Sequence, residues 1–197
     1  MKTTFVRHSI FSLTFVLLVS LASAKELRSD QHNYSITIPD DWTIVFQNSA
    51  GFSIASLDGK KTMGLLIRDA AFAKLDSNSI AALEKDSLKT GSTKISSRNF
   101  TIDGVPAYDT VQQIGKPPFA TTFVFRLIIA NNKFYHLSAM HGGGDVTQDS
   151  DMQEALASFH FLQPPKPSRF GFIGVKWTIF GIIIVGIVFW MTRSRKI

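Results

Sequence analysis

Residues 121–140 read TTFVFRLIIANNKFYHLSAM. A run rich in β-branched and aromatic side chains, 121–130, meets Asn131 and Asn132 and is followed by a second such run, 133–140. Asparagine tolerates the positive φ angles of a two-residue hairpin turn, so the stretch predicts two long antiparallel strands at the centre of a sheet.

The same alternation recurs on either side. Tyr34, Ile36 and Ile38 share one face and Ser35 and Thr37 the other, and Trp42, Ile44 and Phe46 resume the pattern after Pro39, Asp40 and Asp41, which read as a turn. Further strands are predicted at 52–57, 62–68, 94–102 and 105–114, with Asp58-Gly59 and Asp103-Gly104 as turn signals. Two helical patterns interrupt them. Residues 77–89 place Ile80, Leu83, Ser87 and Leu88 toward one face with Glu84 and Lys85 elsewhere, and Gly91 supplies a stop. Residues 149–158 form a shorter helix, with Ser150 and Gln153 spaced as a capping box. A sheet with helices before and after its middle strands is an α+β domain.

The chain has 197 residues and a formal net charge of +6. Between residues 25 and 169, however, 15 Lys and Arg cancel 15 Asp and Glu. The surplus is Lys2 and Arg7 at the start with Lys176, Arg193, Arg195 and Lys196 near the end, so the basic balance belongs to membrane topology and argues against nucleic acid as a partner. There is no cysteine. That removes a thiol nucleophile, thiolate metal sites, covalent haem and a lipidated cysteine after a leader.

The ends explain the surplus. Residues 1–24 have the form of a signal peptide: a basic start, an apolar stretch over 10–21, and Ala22-Ser23-Ala24 as a cleavage site. Residues 25–163 form the extracytoplasmic domain and 164–169 a proline-rich linker, predicted to be an extended spacer holding the domain roughly 20 Å off the bilayer. Residues 170–192 are read as a transmembrane helix and 193–197 as a cytoplasmic tail. The span is long enough only if Lys176 snorkels to the headgroups, with Trp177 and Trp190 toward the interfaces. These readings predict a single-pass protein of the cell membrane with its domain outside the cytoplasm, in a bacterial periplasm or at the cell surface.

Three features taken together look familiar: Tyr34-Ser-Ile-Thr-Ile-Pro-Asp-Asp-Trp42, the hairpin ending in Phe134-Tyr135-His136-Leu137, and a short helix running into Ser158-Phe159-His160-Phe161. An opening strand ending in Pro-x-x-Trp with a closing Ser-Phe resembles the PsbP-like superfamily, typified by the extrinsic photosystem II protein. The resemblance covers residues 31–162 and rests on apolar and turn positions. It implies an antiparallel sheet sandwiched between helices and a non-enzymatic domain that docks on other proteins. It carries over no site residue.

Read for chemistry, the residues give no catalytic, cofactor-binding or metal site. His136 and His141 are five apart on one strand, which points them to opposite faces. With His160 and Asp145 a site is conceivable, but ordinary half-buried histidines fit better. Gly142-Gly143-Gly144 lacks the Lys-Ser/Thr ending of a phosphate loop and precedes Asp145, Asp149 and Asp151, which repel anions. Those aspartates and Glu154 do not match a calcium loop, and acidic residues suit a helix start in any case. Asn33-Tyr-Ser35 and Asn99-Phe-Thr101 match the glycosylation pattern about as often as six Asn residues give by chance.

The leading expectation is thus a membrane-tethered interaction module without a cofactor, held by the lipid bilayer and docking on a membrane or envelope protein. The alternative is an envelope hydrolase or small-ligand binder with a site assembled from distant residues near His136, His141 and Asp145. Helix pairing through Gly181 and Gly186 is a third, weaker reading, since their spacing of five is off the close-packing period.

Overall fold

The computed structural model describes residues 24–72, 74–88, 91–116 and 120–168. The leader, the apolar run with Lys176, Gly181 and Gly186, and the tail lie outside the described residues. Among those described, no helix is long and apolar enough to cross a membrane.

The described residues form nine strands and two helices in the order β1 (Ala24–Ser29), β2 (Tyr34–Pro39), β3 (Thr43–Asn48), β4 (Gly51–Ala55), β5 (Lys61–Asp69), α1 (Ser77–Leu88), β6 (Thr93–Ile102), β7 (Val105–Ile114), β8 (Thr121–Ala130), β9 (Lys133–Gly142) and α2 (Ser150–Ala157). Strands β3 to β9 form one antiparallel sheet in the order β3-β4-β5-β9-β8-β7-β6, and β1 and β2 pair separately. The fold is mostly antiparallel sheet with a few helices.

The β8–β9 hairpin supplies the sheet's central strand, β9, with β8 paired to it from Thr121 opposite Gly142 to Ala130 opposite Lys133. Asn131 and Asn132 adopt φ of 54° and 59°, and Asp103-Gly104 turns in the same left-handed region at 49° and 80°. These twists match the strands they join. The turn after Pro39 is closed by Trp42 N–H donating to the Pro39 carbonyl at 3.1 Å. It joins no hairpin: it carries the chain from the β1–β2 layer into the large sheet.

Alternation along the strands makes two cores. On one face Ile128, Tyr135 and Leu137 pack with Ile36 and Ile38 of β2 and Leu156 of α2. On the other, Tyr108, Leu127, Ile129 and Phe134 gather with Leu83 of α1. Each such apolar side chain contributes about 1.5–3 kcal/mol when fully buried. The Ser158–Phe161 segment closes the first core: Phe159 stacks on Tyr34 with centroids 6.0 Å apart, and Phe161 meets Tyr135 edge-on at 5.3 Å.

Three local expectations are corrected. The cap of α2 is Asp149, whose carboxylate accepts from Met152 N–H at 3.1 Å, so Ser150 and Gln153 form no capping box. Gln153 instead donates to the Val146 carbonyl. Glu84 does not lie away from the sheet: its carboxylate takes hydrogen bonds from Lys94 and Tyr108. Strand β1 was not expected at all, since Leu27 is its one buried apolar side chain among Lys25, Glu26 and Arg28.

Candidate functional site

His136 and His141 sit on β9, and the sheet separates them. His136 lies on the α1 side, against Phe125 and Phe134 with ring centroids at 5.4 and 6.2 Å. His141 lies on the α2 side, close enough to Asp149 for its charge to favour that carboxylate. His160 forms a bridge with Ser35 on β2, and Asp145 accepts from Thr147 N–H and its hydroxyl. The site near His136, His141 and Asp145 is therefore not assembled, for the reason that an odd spacing on a strand imposes.

The acidic residues before α2 are occupied. Lys61 Nζ lies 2.8 Å from Asp149 and 3.0 Å from Asp151. The hydrogen bond to Asp149 is the main cause holding the Lys61 ammonium above its usual range. Among the described residues no group of three or more His, Asp or Glu could hold a metal ion.

A cleft lies between α1 and the sheet. Leu83, Glu84, Thr110, Gln112, Phe125, Leu127 and His136 line it, and the free volume inside it is about 10 Å³, room for roughly one water molecule. Burial, helped by the charge of Arg68, depresses the His136 pKa to about 4. The imidazole is therefore neutral at pH 7 and cannot donate a proton as an imidazolium. Glu84 is opposed by burial, but hydrogen bonds from Lys94 and Tyr108 hold it below the ordinary carboxylate range. The Thr110 hydroxyl is buried without a hydrogen-bond partner. Small-molecule sites occupy roughly 300–1,000 Å³ and present several converging polar groups, and this cleft falls short on volume.

A buried ion network lies on the opposite face. Arg126 in β8 stands directly across from Asp109 in β7. It donates to both carboxylate oxygens, at 2.9 and 3.0 Å, and through Nη1 to the Leu156 carbonyl near the C-terminus of α2. Both side chains are about 5% exposed. Arg98 reaches the same carboxylate from the surface at 2.9 Å, and Phe100 lies between the two guanidinium groups, 5.0 Å from Arg98 and 4.8 Å from Arg126. With both oxygens engaged and the side chain buried, Asp109 serves the fold. The sequence offered one signal for it, a single charge inside the apolar run TTFVFRLIIA.

The two sheet edges differ. Strand β6 carries Lys94 and Arg98, whereas β3, TIVFQN, has no charge and no proline and exposes Val45 by 64% and Phe46 by 45%. A β-bulge between Ile44 and Phe46 is the one interruption of its pairing with β4.

The chain's exit from the domain also departs from expectation. Residues 163–168 lie against one end of the sheet instead of standing away as a spacer. Asn33 donates to the Gln163 carbonyl at 3.0 Å and accepts from its N–H at 2.8 Å. Asn131 donates its backbone N–H to the Lys166 carbonyl and accepts from the Lys166 N–H through its side-chain oxygen, both at 2.8 Å, and Asn132 N–H donates to the Ser168 hydroxyl at 3.1 Å. The Asn33 amide is thus engaged within the fold.

No family model and no curated protein matches the sequence. Solved structures do match. The cyanobacterial PsbP protein of Synechocystis sp. PCC 6803 superposes with a TM-score of 0.55 at 15% identity, covering 73% of this chain and 95% of that one. The fold is PsbP-like. A structure from Bacteroides thetaiotaomicron VPI-5482 aligns with a TM-score of 0.50 at 13% identity, over 82% of this chain and 57% of its own length. LpqN of Mycobacterium tuberculosis, described as involved in cell envelope biogenesis, aligns at 0.44 and 13% identity, covering 70% of this chain and 90% of that one. The PsbP-like assignment rests on the first two, and at these identities it is a statement about fold alone. The Tyr34–Trp42, β8–β9 and Ser158–Phe161 segments that carried the resemblance are core and turn positions, as a fold-level likeness requires.

Proposed function

We propose that this PsbP-like chain is an extracytoplasmic accessory module, tethered to the membrane by residues 170–192, that docks on a membrane or envelope protein without catalysing a reaction. The observation that carries the reading is the outer edge of β3. Among the described residues its backbone N–H and C=O groups on that side have no strand partner, and Val45 and Phe46 are exposed beside them. Natural sheets blunt such edges with charge, proline or bulges; β3 has neither charge nor proline, and its one bulge leaves Val45 and Phe46 exposed. An incoming extended segment satisfies the backbone groups and takes specificity from alternate side-chain contacts. The charge-free leader core, the basic tail and the apolar run at 170–192 support delivery of the domain to the outer face.

The test places a photo-crosslinking residue at Val45 in the full tethered chain, with Ile95 on the opposite edge as control. A reproducible adduct with one envelope or membrane protein from position 45, absent from position 95, is the expected result. No adduct from either edge, in a chain that remains monomeric in its membrane, would refute the docking role.

A further inference from the structure

The three asparagines that hold residues 163–168 all lie at one end of the sheet, and all have left-handed backbone, with φ of 56° at Asn33, 54° at Asn131 and 59° at Asn132. Each presents its side chain or amide to the departing chain, giving five hydrogen bonds over six residues. The line begins one step earlier, where Phe161 N–H donates to Asp103 in the β6–β7 turn at 2.6 Å. The chain therefore leaves along a fixed track past the turns of this end. Ser168, the last described residue, is held by Asn132 and comes two residues before the apolar run at 170–192.

Two residues span at most about 7 Å of extended chain. The headgroup layer on each side of the hydrocarbon is itself roughly 5–7 Å thick. A domain pinned at Ser168 cannot stand off the bilayer by more than that layer.

We propose that the domain is docked on the lipid headgroups through this end, with the β1–β2, β8–β9 and β6–β7 turns down and the strands upright. The proposal rests on the anchoring given above and adds the orientation. Ten-residue strands rise about 34 Å. Leu57, in the turn at the other end and 79% exposed, is therefore carried roughly that distance from the membrane, and both sheet edges face sideways. The occupant of this end is a lipid surface, and a protein approaching in the membrane plane meets β3 broadside.

The chain has no cysteine, so single labels are clean. Full-length Gln31→Cys and Leu57→Cys variants, each carrying bimane, are reconstituted in phosphatidylcholine vesicles containing nitroxide-headgroup lipid, and alkaline carbonate washing checks anchoring. Quenching several-fold stronger at position 31 than at position 57 is expected. In a carbonate-resistant chain, equal quenching or stronger quenching at 57 overturns the orientation and leaves the anchoring intact. A chain that washes off the vesicles refutes the anchoring reading and this one with it. The Asn33→Gly/Asn131→Gly variant keeps the positive φ angles and removes the side-chain bonds. With the fold verified by circular dichroism, its quenching ratio falls toward one, and a ratio unchanged from the parent would show that these asparagines do not set the orientation.

Discussion

Replacing Arg126 by methionine tests the reading of the buried ion network most directly. The substitution keeps an unbranched apolar stem in place of the arginine's aliphatic part and removes its two bonds to Asp109 and its bond to the Leu156 carbonyl. Asp109, 4% exposed, is left with Arg98, whose side chain is 62% exposed and reaches one carboxylate oxygen. Breaking a buried pair by removing one partner costs about 3–5 kcal/mol, because the survivor is a charge without compensation. Arg98 compensates in part, so the low end, about 3 kcal/mol, is expected. At roughly 3 °C per kcal/mol for a domain of this size, the melting temperature falls by about 9 °C. The double variant Arg126→Met/Asp109→Leu removes both charges and is expected within about 1 kcal/mol of the parent, since apolar replacement of a buried pair is often neutral. Thermal and urea unfolding of the full chain in detergent, followed by circular dichroism, measures both. A single variant as stable as the parent, or a double variant as damaged as the single, would refute the reasoning.

Other predictions follow from individual positions. His136 titrates near pH 4 when folded and near 6.5 when unfolded, so the unfolded chain binds the extra proton between these values. Stability is highest above pH 6.5 and falls by about 3 kcal/mol as pH drops to 4, and His136→Phe flattens that part of the unfolding curve. Gly51 has φ of 141°, and a Cβ there would lie 1.8 Å from the Leu65 carbonyl oxygen. Gly51→Ala therefore costs about 3 kcal/mol or more by forcing β4 from β5, visible as loss of amide-exchange protection in β3 and β4. Asp149→Ala removes both the α2 cap and the ion pair with Lys61 and costs about 1–2 kcal/mol, whereas Ser150→Ala leaves urea stability nearly unchanged.

The sheet was legible because its signals are local and repeated. Val105–Ile114 and Thr121–Ala130 follow the predicted bounds, since alternation and turn residues such as Asn131, Asn132, Asp103 and Gly104 specify strand and reversal together. What stayed hidden depends on partners distant in the chain. Strand β1 has a polar composition and becomes a strand by pairing with β2. Arg126 and Asp109 show no relation until the register sets them opposite each other. Residues 163–168 read as a spacer from their prolines, but the bonds that hold them join backbone groups to asparagines up to 130 positions away. The opposed histidines were the one site feature the strand period settled beforehand.

The held exit has a mechanical consequence. Force applied from the C-terminal side of the described residues reaches the Asn132–Ser168 bond, then the Asn131–Lys166 pair, then Asn33–Gln163, so these bonds open one after another. Strands loaded along their length in the sheet share tension across many bonds at once and hold to higher force. The track thus acts as a weak release in series with a strong body, and the six residues it frees add roughly 20 Å of reach before the core feels the pull. Single-molecule pulling from the C-terminal side would record it as a short first extension, well before the sheet gives way.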